Sequence, residues 1–165
     1  MITTERLTLR RARHDDLQAM HAIFSHADAM AYWDTLPHKD LATTKQFLDE
    51  MVNANPETSD DFVVEYGGAL IGKAGFWRQP EIGYIFHPDH WGKGFGKEVL
   101  SVLIQRAFEH HNWPKIVAEI DPRNDRSRRL LSSLGFKLTG TKEKTLKLGD
   151  LWVDSAYFAL ENPGA

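Results

Sequence analysis

A glycine-rich segment at residues 91–96 limits the folds open to this chain more than any other feature. It reads Trp-Gly-Lys-Gly-Phe-Gly and stands between an expected strand and an expected helix. Glycine allows positive φ angles and lets the backbone approach a ligand closely. Backbone N–H groups at the start of the helix can then surround an anion. The segment therefore predicts a strand–turn–helix unit with an anion site.

Two common phosphate-binding patterns do not match this turn. A Walker loop needs Gly-x-x-x-x-Gly-Lys-Ser/Thr, but Glu98 follows Gly96-Lys97, so the hydroxyl that would bind magnesium is missing. The dinucleotide pattern Gly-x-Gly-x-x-Gly fails because Lys97 and Val99 stand where its third glycine belongs. From this segment alone, a turn that only connects a strand to a helix remains the alternative.

Hydrophobic periodicity predicts a mixed α/β domain. Apolar residues at helical spacing predict helices over 15–24, 41–52, 97–110 and 125–134, the last ended by Gly135. Alternating patterns predict strands over 6–10, 62–66, 70–77, 81–86, 115–121, 136–148 and 151–160. The pair Gly67-Gly68 predicts a hairpin turn, and the polar stretch 53–61 predicts a loop. No repeat or linker divides the chain, so we expect one domain over residues 1–165.

Composition and charge exclude several classes of protein. A chain of 165 residues, 42% of them hydrophobic, can bury the core of one ordinary domain. A net charge of −3 gives no global basic field, so we expect no nucleic-acid partner. No apolar run reaches membrane-spanning length, and the first residues lack a secretory signal, so we expect a soluble, cytoplasmic protein without a membrane partner. The absence of cysteine excludes a thiolate metal site and a cysteine nucleophile. His87 and His90 lack a third ligand at a known spacing, so we expect no metal.

Three segments together resemble the GNAT superfamily of N-acetyltransferases. Residues 91–96 are similar to its Gln/Arg-x-x-Gly-x-Gly/Ala motif, although Trp91 replaces the leading Gln/Arg. The Asn-Asp-Arg-Ser of 124–127, followed by Leu-Gly-Phe at 134–136, looks like the Asn-x-x-Ser…Gly-Phe motif. The Trp-Gly-Lys-Gly turn and the opening Thr-Glu-Arg-Leu-Thr-Leu-Arg at 4–10 resemble the RimJ/RimL subgroup, which acetylates the N-termini of ribosomal proteins.

The resemblance implies a fold and a cofactor site. The fold is a single mixed, mostly antiparallel sheet flanked by helices and splayed at the strand that binds acetyl-CoA, with a β-bulge at Gly83. The backbone of that strand pairs with the pantetheine arm, and the glycine-rich turn holds the pyrophosphate. The amide of Asn124 contacts the arm, although the same residue could instead cap the following helix. The implied cofactor-binding residues are Tyr84, Ile85, Phe86, Gly92, Lys93, Gly94, Phe95, Gly96, Lys97, Asn124 and Ser127.

The resemblance also implies direct attack of a neutral amine on the thioester in a ternary complex. A carboxylate then takes the proton of the amine. Glu119 lies where the ribosomal-alanine type carries its base, and Glu81 lies where histone-type members carry theirs. Either residue could instead be an outward-facing acid on a strand, and we prefer Glu119. Leu131 occupies the position of a tyrosine that commonly protonates the thiolate, so no general acid is assigned.

Acceptor and oligomeric state are less constrained by the sequence. Tyr32 and Trp33 lie in a segment that resembles the acceptor-side wall, although such a pair is more often part of a core. The acceptor is expected to be a protein N-terminal amine or a small-molecule amine. Four arginines could reach the 3′-phosphate of coenzyme A or form a solvated helix face: Arg123, Arg126, Arg128 and Arg129. A non-catalytic acyl-CoA-binding module is the alternative function, and the chain could be a monomer or a homodimer.

Overall fold

An eight-stranded sheet with the order β1-β2-β3-β4-β5-β6-β8-β7 forms the centre of the computed structural model, which describes residues 1–165. The strands are β1 (Ile2–Thr3), β2 (Leu7–Arg10), β3 (Asp60–Tyr66), β4 (Ala69–Arg78), β5 (Glu81–Phe86), β6 (Lys115–Ile120), β7 (Lys137–Leu148) and β8 (Leu151–Glu161). Every neighbouring pair is antiparallel except β5 and β6, which are parallel. The mixed, mostly antiparallel sheet predicted from the sequence is confirmed, and the short β1 was not predicted.

Four α-helices flank the sheet. They are α1 (Leu17–Phe24), α2 (Leu41–Val52), α3 (Phe95–Gln105) and α4 (Asp125–Ser133). A 3-10 turn precedes α1, another precedes the glycine-rich turn, and a π-helical turn at Arg106–His110 continues α3. No helix has the length and apolar character needed to cross a membrane.

Two hydrophobic clusters lie on opposite faces of the sheet. Residues of α3 and α4 pack on one face, among them Leu100, Leu103 and Leu131, and residues of α1 and α2 pack on the other, among them Met20, Phe24 and Leu48. Strand β5 contributes to both, because Ile82 and Phe86 belong to the α3/α4 cluster and Ile85 to the α1/α2 cluster. Successive side chains of a strand point to opposite faces, so this strand connects the two sides of the molecule.

Strands β5 and β6 separate soon after they meet. Glu81 and Val117 are their one paired position, and beyond it the sheet is open between the two strands. The expected β-bulge at Gly83 is wrong, because Gly83 pairs in register with Gly75. The irregularity lies on β4, where Trp77 is the additional residue opposite the start of β5. A bulge twists the strand that carries it, so the irregularity belongs to β4, opposite the start of β5.

Strand β3 begins at Asp60, within the stretch predicted as a loop, because its acidic residues are buried and each is paired with a cation. Three side chains contact the Asp60 carboxylate, Arg11 and Arg106 at 2.6 Å and His111 at 2.9 Å. Burial raises the pKa of Asp60, but the hydrogen bonds from these partners outweigh it and hold the pKa at about 2. Buried charges require such pairing, and these partners are distant in the sequence.

The predicted turns contain glycines in left-handed conformation. Gly67 and Gly68, with φ of 57° and 82°, connect β3 to β4, and Gly135, with φ of 92°, follows α4. Positive φ is disfavoured for residues with a Cβ. The hairpin and the helix end predicted at these positions are therefore confirmed.

Candidate active site

Two cavities meet at the opening between β5 and β6. The turn-side cavity, of about 610 Å³, lies beside the glycine-rich turn and α4. The hairpin-side cavity, of about 530 Å³, lies between α2 and the β7–β8 hairpin. Tyr32 and Trp33 line both cavities. Along β5, Glu81 to Gly83 line the hairpin-side cavity and Tyr84 to Phe86 line the turn-side cavity. The junction of the two cavities therefore lies beside Gly83 and Tyr84.

The glycine-rich turn ends at Gly94, and α3 begins two residues earlier than predicted, at Phe95. Gly92 and Gly94 have φ of 73° and 79°. The first N–H groups of a helix have no partner within the helix, so this turn presents donors and the positive end of a helix dipole. All residues from 92 to 97 line the turn-side cavity except Lys93.

Arg6 holds the turn from the N-terminal segment. Its Nη1 donates to the carbonyl of Lys93 at 2.8 Å, and its Nε donates to Glu98 Oε2 at 2.7 Å. Its backbone N–H also donates to Glu98 Oε1 at 2.8 Å, and its guanidinium lies 4.5 Å from the ring centre of Phe95. The sequence motif that contains Arg6 gave no reason to place it here. Its partner Glu98 was noted in the sequence only as the residue that excludes a Walker loop.

Trp91, which replaces the Gln/Arg of the family motif, joins the turn to the end of β5. Its indole Nε1 donates to the carbonyl of Phe86 at 3.0 Å. The guanidinium of Arg126 lies 3.9 Å from its ring centre, a distance at which a cation and an aromatic face attract each other. Trp91 therefore connects β5, the turn and α4.

The four arginines near α4 have different environments. Arg123 pairs with Asp121 at 2.7 Å, and Arg128 pairs with Asp125. Three of the four line the turn-side cavity, namely Arg123, Arg126 and Arg129. Arg128 does not line it, so its predicted alternative as a solvated residue fits its position better.

The N-terminus of α4 is tied to β5 across the opening. Asn124 Oδ1 accepts a hydrogen bond from the Ser127 N–H at 3.1 Å, so Asn124 caps α4. The hydroxyl groups of Ser127 and Tyr84 are hydrogen-bonded to each other. Burial raises the pKa of Tyr84 to about 12, although the bond to Ser127 opposes the shift. Leu131, one helical turn beyond Ser127, is fully buried.

The hairpin-side cavity is acidic. Its carboxylates are Asp34, Glu50, Asp61, Glu81, Glu119, Asp121 and Asp154, and its cations are Lys73 and Arg78. Lys73 already pairs with Asp61 at 2.6 Å, and Arg78 lies 3.5 Å from Glu81. The excess of carboxylates gives this cavity a negative potential, which favours a cationic ligand.

Glu119 and Glu81, the two predicted catalytic carboxylates, line the same cavity. Glu119 Oε1 accepts a hydrogen bond from Ser155 Oγ at 2.7 Å, and Ser155 Oγ lies 2.5 Å from Thr145 Oγ1. Burial raises the pKa of Glu81, the nearby carboxylates add to the shift, and Arg78 opposes it. Glu119 is thus oriented by a serine, and Glu81 holds a proton more readily than a solvated glutamate.

Two features of this cavity were missing from the sequence prediction. Asp34 faces it directly after the aromatic pair, and desolvation raises its pKa, with Glu119 adding to the shift and Lys73 opposing it. The ion pair of Lys73 and Asp61 also lines this cavity, with both side chains buried. A lysine within the apolar pattern of 70–77 was the available signal for a buried pair.

The chain thus combines a sheet that opens between two strands, a glycine-rich turn at the start of a helix and a cavity with carboxylates. Residues 6–137 match the family described as "Acetyltransferase (GNAT) domain". The chain belongs to the GNAT acetyltransferase family and is an acetyl-CoA-dependent N-acyltransferase.

Relatives of similar length match nearly the whole chain. The uncharacterised N-acetyltransferase p20 of Bacillus licheniformis is 29% identical, over 95% of this chain and 93% of its own. The L-methionine sulfoximine/L-methionine sulfone acetyltransferase of Salmonella typhimurium is 31% identical, over 94% of each chain. Relatives that match nearly the whole chain are therefore named as acetyltransferases.

Solved structures have the same fold. The acetyltransferase (GNAT family) from Bacillus anthracis matches with a TM-score of 0.85 at 26% identity, over 98% of both chains. RimL, a ribosomal-protein alpha-N-acetyltransferase solved with coenzyme A, matches with a TM-score of 0.87 at 16% identity, over 99% of this chain and 98% of RimL. The likeness to RimL, at 16% identity, shows the fold alone.

Proposed function

We propose that this chain transfers acetyl directly from acetyl-CoA to a primary amine in a ternary complex. The observation that carries the proposal is the junction of the two cavities beside Gly83 and Tyr84. A donor bound at the turn extends to that junction and places its thioester there. An amine in the hairpin-side cavity then approaches the carbonyl carbon of the thioester. Holding both reactants at one point removes much of the entropic barrier.

The turn-side cavity binds the donor in this proposal. The N–H groups from Gly92 to Lys97 hold the pyrophosphate, and the open edge of β5 at Tyr84, Ile85 and Phe86 pairs with the pantetheine arm. Because Asn124 caps α4 through its oxygen, its amide N–H groups stay available for the arm. Ser127 also lines the turn-side cavity. Arg129 makes no ion pair within the chain and is the candidate for the 3′-phosphate.

Glu119 takes the proton of the attacking amine in this proposal. An α-amine has a pKa of about 7.7–8.0 and a lysine amine of about 10.4, so the acceptor is mostly protonated at neutral pH. Counted two residues on from the Glu81–Val117 pair, Glu119 on β6 corresponds to Gly83 on β5, beside the junction, which supports Glu119 as the base. Glu81 lies two residues before Gly83, or about 7 Å away along the strand. Its raised pKa makes it the alternative base.

The acceptor in this proposal is a primary amine without nearby negative charge. The excess of carboxylates in the hairpin-side cavity supports a cationic acceptor, and Tyr32 and Trp33 form the wall that it shares with the donor. A small amine and a protein N-terminus both satisfy this chemistry. The opening motif at 4–10 supports the RimJ/RimL-like, N-terminal alternative.

Several expectations remain predictions. They are one N-acetyltransferase domain over residues 1–165, a cytoplasmic location, no nucleic-acid or membrane partner, no metal, and a monomeric or homodimeric state. A non-catalytic acyl-CoA-binding module is the second candidate function, supported by the apolar Leu131 on α4.

Release of coenzyme A thiol tests the proposal. We expect turnover of acetyl-CoA with at least one member of a panel of polyamines, amino-acid amides and short peptides with free N-termini. Mass spectrometry of the product identifies the acetylated nitrogen, and the N-acetylated form of each amine serves as the unreactive control. Tight binding of acetyl-CoA without turnover between pH 7 and pH 10 contradicts the enzymatic proposal and favours the module.

A further inference from the structure

We propose that the Tyr84 hydroxyl donates a hydrogen bond to the coenzyme A sulfur as the carbon–sulfur bond breaks. This inference rests on the proposed direct transfer and assigns the leaving-group side of that reaction. Tyr84 is the first residue of β5 on the turn-side cavity, immediately after Gly83 on the hairpin-side cavity. It therefore stands where the thioester must lie if the donor enters from the turn and the amine enters from the acidic cavity.

Tyr84 and Glu119 lie on opposite faces of the sheet, on either side of the expected position of the thioester. Tyr84 packs against the α3/α4 cluster. On β6, Ala118 belongs to the same cluster and Ile120 packs against it, so the intervening Glu119 points to the other face. In a tetrahedral intermediate the incoming nitrogen and the departing sulfur are separate substituents of one carbon. A proton acceptor on one face and a hydrogen-bond donor on the other fit such an intermediate.

Ser127 is the residue that orients Tyr84. The two hydroxyl groups are hydrogen-bonded, and each can either donate or accept. When the Ser127 hydroxyl donates to the tyrosine oxygen, the phenolic proton of Tyr84 remains available for the sulfur. The backbone N–H of Ser127 is bound to the Asn124 cap, which fixes the serine at the first turn of α4. Leu131 is apolar and fully buried one turn further along, so it offers no donor.

The bonds and charges of the step balance without a full proton transfer from Tyr84. Glu119 first accepts the ammonium proton of the amine and passes it to water. The neutral nitrogen then bonds to the carbonyl carbon, and its second proton goes to Glu119. The carbon–sulfur bond then breaks, and its electron pair leaves with the sulfur. A thiol of the cysteine type has a pKa of about 8.5, whereas the pKa of Tyr84 is raised to about 12. The proton therefore stays on the tyrosine, which stabilises the thiolate by a charge-assisted hydrogen bond. Water protonates the thiolate after release.

The pKa of the bound coenzyme A thiol tests this role without an acceptor or turnover. Ultraviolet absorption of the thiolate is followed against pH for coenzyme A bound to the wild type and to Tyr84→Phe. We expect the thiol pKa to be higher by about one unit in Tyr84→Phe, because a donor to an ionised group favours the ionised form. We also expect kcat to fall about tenfold, with an unchanged KM for acetyl-CoA. Tyr66→Phe is the matched control, since Tyr66 lines neither cavity.

Ser127→Ala provides a second variant that keeps the phenol in place. We expect a smaller rise of the thiol pKa, because Tyr84 remains but loses its fixed orientation. Equal thiol pKa values in the wild type and both variants overturn the role of Tyr84, and turnover in the wild type then leaves the proposed function intact. If the wild type binds no coenzyme A, the proposed function and this inference both fail.

Discussion

The turn-side cavity and the hairpin-side cavity meet at one point, yet the chain builds them in different ways. The first depends on backbone groups from two short stretches, 92–97 and 124–127, together with β5. The second depends on side chains from α2, β4, β5, β6 and both strands of the β7–β8 hairpin. Their charges are also opposite, with arginines and a lysine around the first and mainly carboxylates around the second.

In the proposed function, this difference separates what the two sides recognise. A turn of N–H groups binds a pyrophosphate through the backbone, so its requirement is conformational and falls mainly on glycines. The acidic cavity acts through the identity and spacing of its side chains. Substitutions on the turn side should therefore change donor affinity, whereas substitutions on the hairpin side should change turnover and acceptor choice.

The largest expected effect is on the hairpin side. Glu119→Gln should lower kcat about 100-fold, because the variant removes the group that accepts the amine proton. The loss should be greatest below the acceptor's pKa, where most of the amine carries the proton that must be removed. The pH profile of turnover checks this, and calorimetry should show little change in acetyl-CoA affinity.

Glu81→Gln is the matched variant for this prediction. It removes a carboxylate of the same cavity two residues from Gly83, and we expect a smaller loss of kcat. If Glu81→Gln abolishes turnover and Glu119→Gln does not, the order of the two carboxylates is reversed.

The next effect is on the turn side. Gly94→Val should weaken acetyl-CoA binding about 30-fold, since a left-handed conformation costs a residue with a Cβ about 2 kcal/mol. Gly94 has a φ of 79°, so the substituted backbone must move away from the ligand. Calorimetry measures the affinity. Gly140→Val is the control, because Gly140 has no positive φ and a Cβ there meets no atom within 4 Å. Equal affinity in Gly94→Val and the wild type contradicts the anion site.

Substitution of the arginines of α4 should change acetyl-CoA binding less, and differently for Arg129 and Arg128. Arg129→Ala should weaken acetyl-CoA binding about fivefold, or about 1 kcal/mol, as is usual for an exposed ion pair. The variant should bind 3′-dephospho-coenzyme A as tightly as the wild type does, because the lost partner is the 3′-phosphate. Arg128→Ala is the control, since Arg128 pairs with Asp125 and does not line the cavity. A loss of affinity for both ligands means that Arg129 contacts another part of the donor.

The smallest effect should come from Arg6, which acts on the turn from outside the cavity. Arg6→Ala should raise the KM for acetyl-CoA about threefold with little change in kcat, because the lost hold on the turn is worth about 0.6 kcal/mol, near the lower end for a net hydrogen bond. Arg6→Lys should restore little, since an ammonium cannot reproduce the fork that joins Lys93 and Glu98. An unchanged KM in both variants contradicts a positioning role, and thermal unfolding shows whether the loss is one of stability.

The sequence predicted the fold and the backbone conformation of the glycine-rich turn well, because both depend on local patterns. Helix and strand periodicity predicted every long element, and glycine spacing predicted the turn at Gly92 and Gly94, both of which have positive φ. The sequence did not predict the start of β3 at Asp60. Two adjacent acidic residues are typical of a loop, and only the folded structure brings their cationic partners to them. The bulge was assigned to Gly83 instead of Trp77, because the register between two strands is not a property of either strand alone.

On the hairpin side, the sequence by itself determined which groups exist, and the tertiary structure decided which of them meet. Glu81 and Glu119 were candidates only by resemblance, and the sequence carried no sign that Ser155 would orient one of them. A helix, a strand or a turn of glycines follows from neighbours along the chain, because its interactions span a few residues. A cavity assembled from distant segments depends on strand order and on the opening between β5 and β6, which only the packed sheet defines.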